Sequence, residues 1–153
     1  MKRFFDLILA ITILTPILVV MFFIAIAILI TSKGPLLYWS NRVGINNTIF
    51  AMPKFRSMID NTPAIATHLM TDPERFLSPI GGFIRRTSLD ELPQLFSIIK
   101  GDMSFVGPRP ALFNQDDLIA LRSKNNLDML IPGLTGWAQI NGRDNLSISE
   151  KIA

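Results

Sequence analysis

The chain has 153 residues, enough for one domain with a real core, and carries no cysteine, which excludes disulfides and thiolate metal sites. Fifteen basic and 12 acidic residues leave a net charge of +3, too small a surplus to imply nucleic acid and suited to a membrane surface or a phosphorylated substrate. Mean hydropathy is +0.38, high for a soluble protein, and the excess is concentrated at one end.

That end is the first element. No charged residue lies between Asp6 and Lys33. About 20 apolar residues span a bilayer as a helix, so the run is long enough. It is too long for the core of a cleaved signal peptide. Two topologies stay open. One is a simple span. The other is a helix that enters the bilayer, breaks and returns on the same side. Pro16 favours the break, because proline removes one helix bond and crowds the carbonyl of Thr12. Hydroxyls at Thr12 or Thr15 can serve a freed backbone group. Lys2 and Arg3 precede the run, and Lys33, Arg42, Lys54 and Arg56 follow it. Basic residues favour the cytoplasmic face, and a hairpin keeps both flanks there.

Next, aromatic and β-branched residues surround the turn signal "GINN" at 44–47, which predicts a hairpin-like extended segment. Tyr38 and Trp39 suit either headgroup level or a core. Thr62-Pro63 and Asp72-Pro73 predict starts of short helices. The lone His68 is read as surface or capping.

In "RRTSLDELPQLF", at 85–96, two arginines precede the adjacent carboxylates Asp90 and Glu91. Ser88 and Glu91 fit an S-x-x-E capping box. Leu89, Leu92, Phe96 and Ile99 supply a helical apolar stripe, and Gly101 its left-handed stop. A proline-punctuated loop, "FVGPRPAL", follows, then a short amphipathic helix in "NQDDLIALRSKNN" and a turn-rich "IPGLTGWAQINGRDN". Arg109 and Arg143 in such loops are candidates for anion binding, where backbone N–H groups join the guanidinium.

The sequence holds no Walker-type phosphate loop, dinucleotide fingerprint, zinc-protease motif or nucleophile elbow. One histidine and no cysteine leave carboxylates and arginines, hence phosphate chemistry with a hard metal. Glycosidase chemistry needs two acids set apart across a sugar with one kept protonated, which adjacent acids beside two arginines do not suit.

"SLDELPQLFSIIKGDMSFVGPRP", with "KRFFDLILA", "PKFRSM" and "IPGLTGWAQINGR", resembles the bacterial sugar transferases, small monotopic phosphoglycosyltransferases that act on polyprenol phosphate. The resemblance covers nearly the whole chain. It implies an α+β fold, mainly helical and membrane-associated, with a re-entrant helix-break-helix over 1–32, broken at Thr15 and Pro16. A cytoplasmic catalytic domain with a short β-hairpin follows over 33–153. Family members continue through an Asp-x-x-Tyr-type segment, so the resemblance implies that the domain lacks its C-terminal end here. The location implied is the cytoplasmic face of the bacterial inner membrane.

The implied reaction passes a phospho-sugar from a UDP-sugar to undecaprenol phosphate, giving polyprenyl-diphospho-sugar and UMP, the first step of surface glycoconjugate assembly. Asp90 matches the family's nucleophile and Glu91 its partner, with Mg2+ held by the two. Arg85, Arg109, Lys54 and Arg143 are the expected binders of substrate phosphate. The resemblance leaves the sugar and the oligomeric state open. From the residues, Asp90 is expected to be held ionised by a helix N-terminus and by Arg85 and Arg86. The alternative from another class is a catalytically inactive membrane scaffold in a polysaccharide assembly complex.

Overall fold

A computed structural model describes residues 1–59, 62, 72–142, 146–148 and 150. It opens on a single helix, α1, Lys2–Thr31, which runs through Pro16. At 1.5 Å per residue such a helix is about 45 Å long. Pro16 leaves the Thr12 carbonyl without its usual donor. The Thr12 hydroxyl does not serve that gap; it donates to the Ile8 carbonyl at 2.8 Å.

Both ends of α1 are tied to the rest of the chain. At the N-terminal end, Lys2 donates to the Val106 carbonyl at 2.7 Å. Arg3 donates to the Ile98 and Ile99 carbonyls, the latter at 2.7 Å. Asp6, buried in an otherwise apolar helix, accepts from the Ser104 hydroxyl at 2.8 Å and the Phe105 N–H at 3.3 Å. A buried carboxylate without such donors costs several kcal/mol, on the order of that for any unpaired ion, so these bonds fix where the helix begins. At the C-terminal end, Arg56 donates to the Lys33 carbonyl at 2.6 Å and the Ser32 carbonyl at 2.9 Å. Between the ends one face of α1 is buried in two patches. Ala10, with Ile13, Leu14 and Ile17, packs on Phe50, Met52, Leu95, Ile98 and Met103. Ile24 and Ile28 pack on Phe55 and Ile84. Each such side chain contributes about 1.5–3 kcal/mol by burial. The opposite face exposes Phe5, Ile8, Ile11, Val19, Phe22, Phe23, Ile26 and Leu29. An apolar face of that size suits lipid rather than water. Within the described residues α1 is the one helix long and apolar enough to cross a membrane.

The hairpin around "GINN" forms as the sequence predicts. β1, Leu37–Val43, and β2, Ile49–Phe55, pair antiparallel, with Tyr38 opposite Lys54, Ser40 opposite Met52 and Arg42 opposite Phe50. Asn46 and Asn47 take the left-handed conformations of the turn, which Asn tolerates. Tyr38 and Trp39 are exposed. Helix α2, Gly81–Arg86, follows a turn at Pro73–Phe76, where Asp72-Pro73 predicted a helix start. Thr62-Pro63 and His68 lie in a segment of which Thr62 alone is described.

Helix α3, Gln94–Lys100, ends at Gly101 in the left-handed region, the stop the sequence predicts. Its last carbonyls receive Arg3, a favourable place for a cation at a helix C-terminus. β3, Ser104–Val106, and β4, Gly133–Thr135, form a two-stranded parallel ladder that the sequence reading did not include. Between them lies α4, Asp116–Lys124, the expected amphipathic helix; α5, Trp137–Ile140, follows. The ladder requires glycine. A Cβ on Gly133 would stand 2.1 Å from the Gly107 nitrogen, so "VGPRP" and "PGLTG" touch backbone to backbone.

Candidate active site

The two acids sit in a single 3-10 turn, Leu89–Glu91, between α2 and α3. The capping box does not form. Ser88 is left-handed, at φ 57°, and its side chain makes no cap bond. The Glu91 carboxylate instead accepts the Lys54 ammonium at 2.8 Å. The partner that displaces the box comes from β2, far away in sequence, so no local pattern signals it.

Period-two alternation puts Lys54, Met52 and Phe50 on one face of the hairpin, with Tyr38, Ser40 and Arg42 beside them on β1. That face lies against α3 and α1, where Met52 and Phe50 are core. Lys54, at the end of this row, reaches the acid turn through Glu91. Arg42 is at the other end of the row. It donates to the Ser40 hydroxyl at 3.0 Å and to the Pro110 carbonyl at 3.1 Å. Sequence reasoning counted Arg42 only as flanking charge. The hairpin register was the signal that places it on the face of Lys54.

Asp90 is 8% exposed. Burial pushes its carboxyl above the ordinary aspartate value, and the neighbouring Glu91 charge adds to this; Lys54 and Arg85 oppose it without prevailing. The expectation that Asp90 is held ionised by a helix N-terminus and two arginines is corrected in direction. The acid is in a 3-10 turn, Arg86 is exposed, and desolvation is the largest influence. Lys54 shows the complementary effect. Burial lowers its pKa, helped by Arg42, against the pull of Glu91 and Asp90.

Arg109 is on the loop between β3 and α4. That loop is held by three backbone bonds: Val43 N–H to the Ala111 carbonyl at 3.0 Å, Gly107 N–H to Thr135 at 2.9 Å, and Gly133 N–H to Pro108 at 2.9 Å. Arg42 adds its bond to Pro110, next to Arg109. The structure thus brings Lys54, Arg85, Asp90 and Glu91 into one electrostatic cluster, with Arg42 at its edge and tied to the Arg109 loop. Arg143 lies outside the described residues. Thr15 and Pro16 are in α1 and are no part of this cluster.

Among the described residues no group of three or more acidic or histidine side chains forms a ready metal cage. The two adjacent carboxylates still suit magnesium, which takes one or two carboxylates and completes its shell with substrate phosphates and water. Glu91 raises the Asp90 pKa, so the two charges feel each other, and a cation beside them relieves that repulsion. Chemically the cluster offers an oxyanion nucleophile, a place for a hard cation and several cations for phosphate oxygens.

Comparison with known proteins adds to this geometry. The family model described as bacterial sugar transferase matches residues 1–153. The uncharacterized sugar transferase EpsL of Bacillus subtilis (strain 168) is 38% identical, over 99% of this chain and 74% of its own. The UDP-glucose:undecaprenyl-phosphate glucose-1-phosphate transferase of Escherichia coli (strain K12) is 40% identical over 93% of this chain, and the undecaprenyl-phosphate glucose phosphotransferase of Komagataeibacter xylinus is 39% identical over 92%. The chain spans 31% and 28% of the length of those two relatives. The match over all 153 residues, together with EpsL, establishes that the chain belongs to the bacterial sugar transferase family.

Proposed function

We propose that this protein is a phosphoglycosyltransferase that moves a phospho-sugar from a UDP-sugar to undecaprenol phosphate. The observation that carries the reading is Asp90, buried in a turn beside the Lys54–Glu91 pair, in a chain similar to enzymes named for this transfer. An Asp90 carboxylate oxygen attacks the phosphorus that bears the sugar. The bond from that phosphorus to the bridging oxygen breaks, and UMP leaves with the electron pair. The phospho-sugar is then an acyl phosphate on Asp90. A phosphate oxygen of undecaprenol phosphate attacks the same phosphorus and releases the carboxylate. The product is polyprenyl-diphospho-sugar, and Asp90 is returned unchanged.

Each residue has a task in this sequence. Lys54 and Arg85 offset the charge of an ionised Asp90. Lys54 also fixes Glu91. Arg109 binds a substrate phosphate with its planar fork. Mg2+, held by Asp90 and Glu91, would offset negative charge on the transferring phosphate. A bound cation also favours the ionised carboxylates, countering the effect of burial on Asp90. UMP release from a UDP-sugar should stop in excess EDTA and return with added Mg2+. Full activity in EDTA contradicts the metal; no UMP from any UDP-sugar favours the inactive scaffold.

The same reading places α1 as a re-entrant anchor, with the active site on the cytoplasmic face of the inner membrane. It is supported by the attachment of both helix ends to one body, through Arg3 and Asp6 at the start and Arg56 at the finish. A body kept on one face of the membrane holds both ends on that face. This reading puts the turn at Thr15 and Pro16, where the structure has one continuous helix packed on the core through Ile13, Leu14 and Ile17. The chain has no cysteine, so Met1→Cys and Thr31→Cys report without background. Neither site should react with an impermeant thiol reagent from outside. External labelling of one site alone restores the simple span.

A further inference from the structure

One arginine outside the acid cluster is buried without a counter-charge. Arg122, in the last turn of α4, is 8% exposed. Its Nε has no hydrogen-bond partner, and among the described residues no carboxylate forms an ion pair with it. Arg122 lines a pocket whose wall includes Gly44, Asn47, Pro108, Asp128 and Leu130. Asp128 lies in that wall without ion-pairing to it. Burial alone lowers the Arg122 pKa, with no acid acting on it.

A guanidinium keeps its charge throughout the useful pH range. Burying it unpaired is costly, and an apolar side chain of the same length fills such a place at no such cost. Much of the wall is apolar already, with Val43, Ile119 and Leu127 facing the same space. The buried Nε lacks an acceptor, and a guanidinium fork suits a planar or tetrahedral oxyanion. The position favours phosphate. Pro108 and Ala111 of this wall flank Arg109 on its loop, so the pocket backs directly onto a loop assigned to phosphate above.

We propose that the Arg122 pocket is a second phosphate-binding site, separate from the Asp90–Glu91 turn. With a cavity of about 20 Å³ it admits one oxygen of a phosphate group that sits at its mouth, from a small anion, a nucleotide or a phospholipid headgroup. The choice of phosphate rests on the transfer reading, but the site uses none of the residues assigned to transfer chemistry and its test needs no turnover, so the two can fail separately.

The test is the melting temperature of the purified protein in detergent, titrated with inorganic phosphate at constant ionic strength against chloride. Phosphate should raise the wild-type Tm saturably. Arg122→Met should melt at or above wild type in chloride and lose the Arg122-dependent part of that rise. Arg109→Lys should keep it. Arg122→Lys retains the charge without the fork and should weaken the rise, which keeps the test open if the Met variant misfolds. Parallel arms with UDP, and with phosphatidylglycerol against phosphatidylcholine vesicles, identify the natural source as the one whose shift depends on Arg122. An undiminished phosphate-dependent rise in Arg122→Met and Arg122→Lys overturns the proposal and leaves Arg122 a structural residue.

Discussion

Asp90→Asn should abolish UMP release, by at least about 10³-fold, while the protein folds and still binds donor. An amide cannot attack phosphorus, and the neighbouring Glu91 is engaged with Lys54. The same substitution should raise stability at neutral pH. Asp90 has its folded pKa above the unfolded value, so its contribution to stability is fully present below the unfolded pKa and is lost as pH rises through the folded one. At neutral pH the buried acid therefore costs stability that the neutral amide does not. The gap in Tm between Asp90→Asn and wild type should widen from acid towards neutral pH, measured in EDTA to exclude bound cations. A variant that loses activity and stability together, with no pH-dependent gap, marks Asp90 as a structural acid. An active Asp90→Asn removes it from the chemistry.

Arg109→Lys should lower kcat/KM by about tenfold to a hundredfold, the loss of one charge-assisted contact of roughly 1.5–3 kcal/mol. The conservative change is a severe one here because the loop holds the backbone rigidly from both sides. Pro108 accepts from Gly133, Ala111 from Val43, and Pro110 from Arg42. A lysine on this fixed support presents a point charge in place of a fork. The bonds that hold the loop run through the backbone of Pro108, Pro110 and Ala111, so the path of the loop should survive the change. Steady-state kinetics with UDP-sugar varied measures the effect. Unchanged kinetics make Arg109 a surface arginine in a rigid turn.

Local signals in the sequence carried well where short-range chemistry decides. The GINN turn set the hairpin, Gly101 stopped α3, and "DDLIALRSK" formed its helix. The adjacency of Asp90 and Glu91 was equally plain. What sequence missed was set by tertiary contact. The Ser88–Glu91 box was a sound local expectation that lost to Lys54, delivered by a strand 37 positions away. The direction of the Asp90 shift followed burial, which no count of nearby arginines reveals. Arg42 was hidden because its role depends on the strand register. Arg122 was hidden because burial without a partner is visible only in three dimensions. The β3–β4 ladder escaped notice because each strand is three residues long and the pairing spans α4. At α1, length and composition were legible, whereas the docking of both ends rests on Arg3, Asp6 and Arg56 finding distant partners.

The claim on which the rest depends is that Asp90 carries the phospho-sugar. Incubation with a UDP-sugar and Mg2+, without acceptor, followed by acid quench, proteolysis and mass spectrometry, tests it directly. The predicted result is a phospho-sugar adduct on the peptide containing Asp90, with a matching burst of UMP and no adduct in Asp90→Asn. An enzyme that turns over with acceptor yet releases no UMP and forms no adduct without it, or forms the adduct on another residue, contradicts the account.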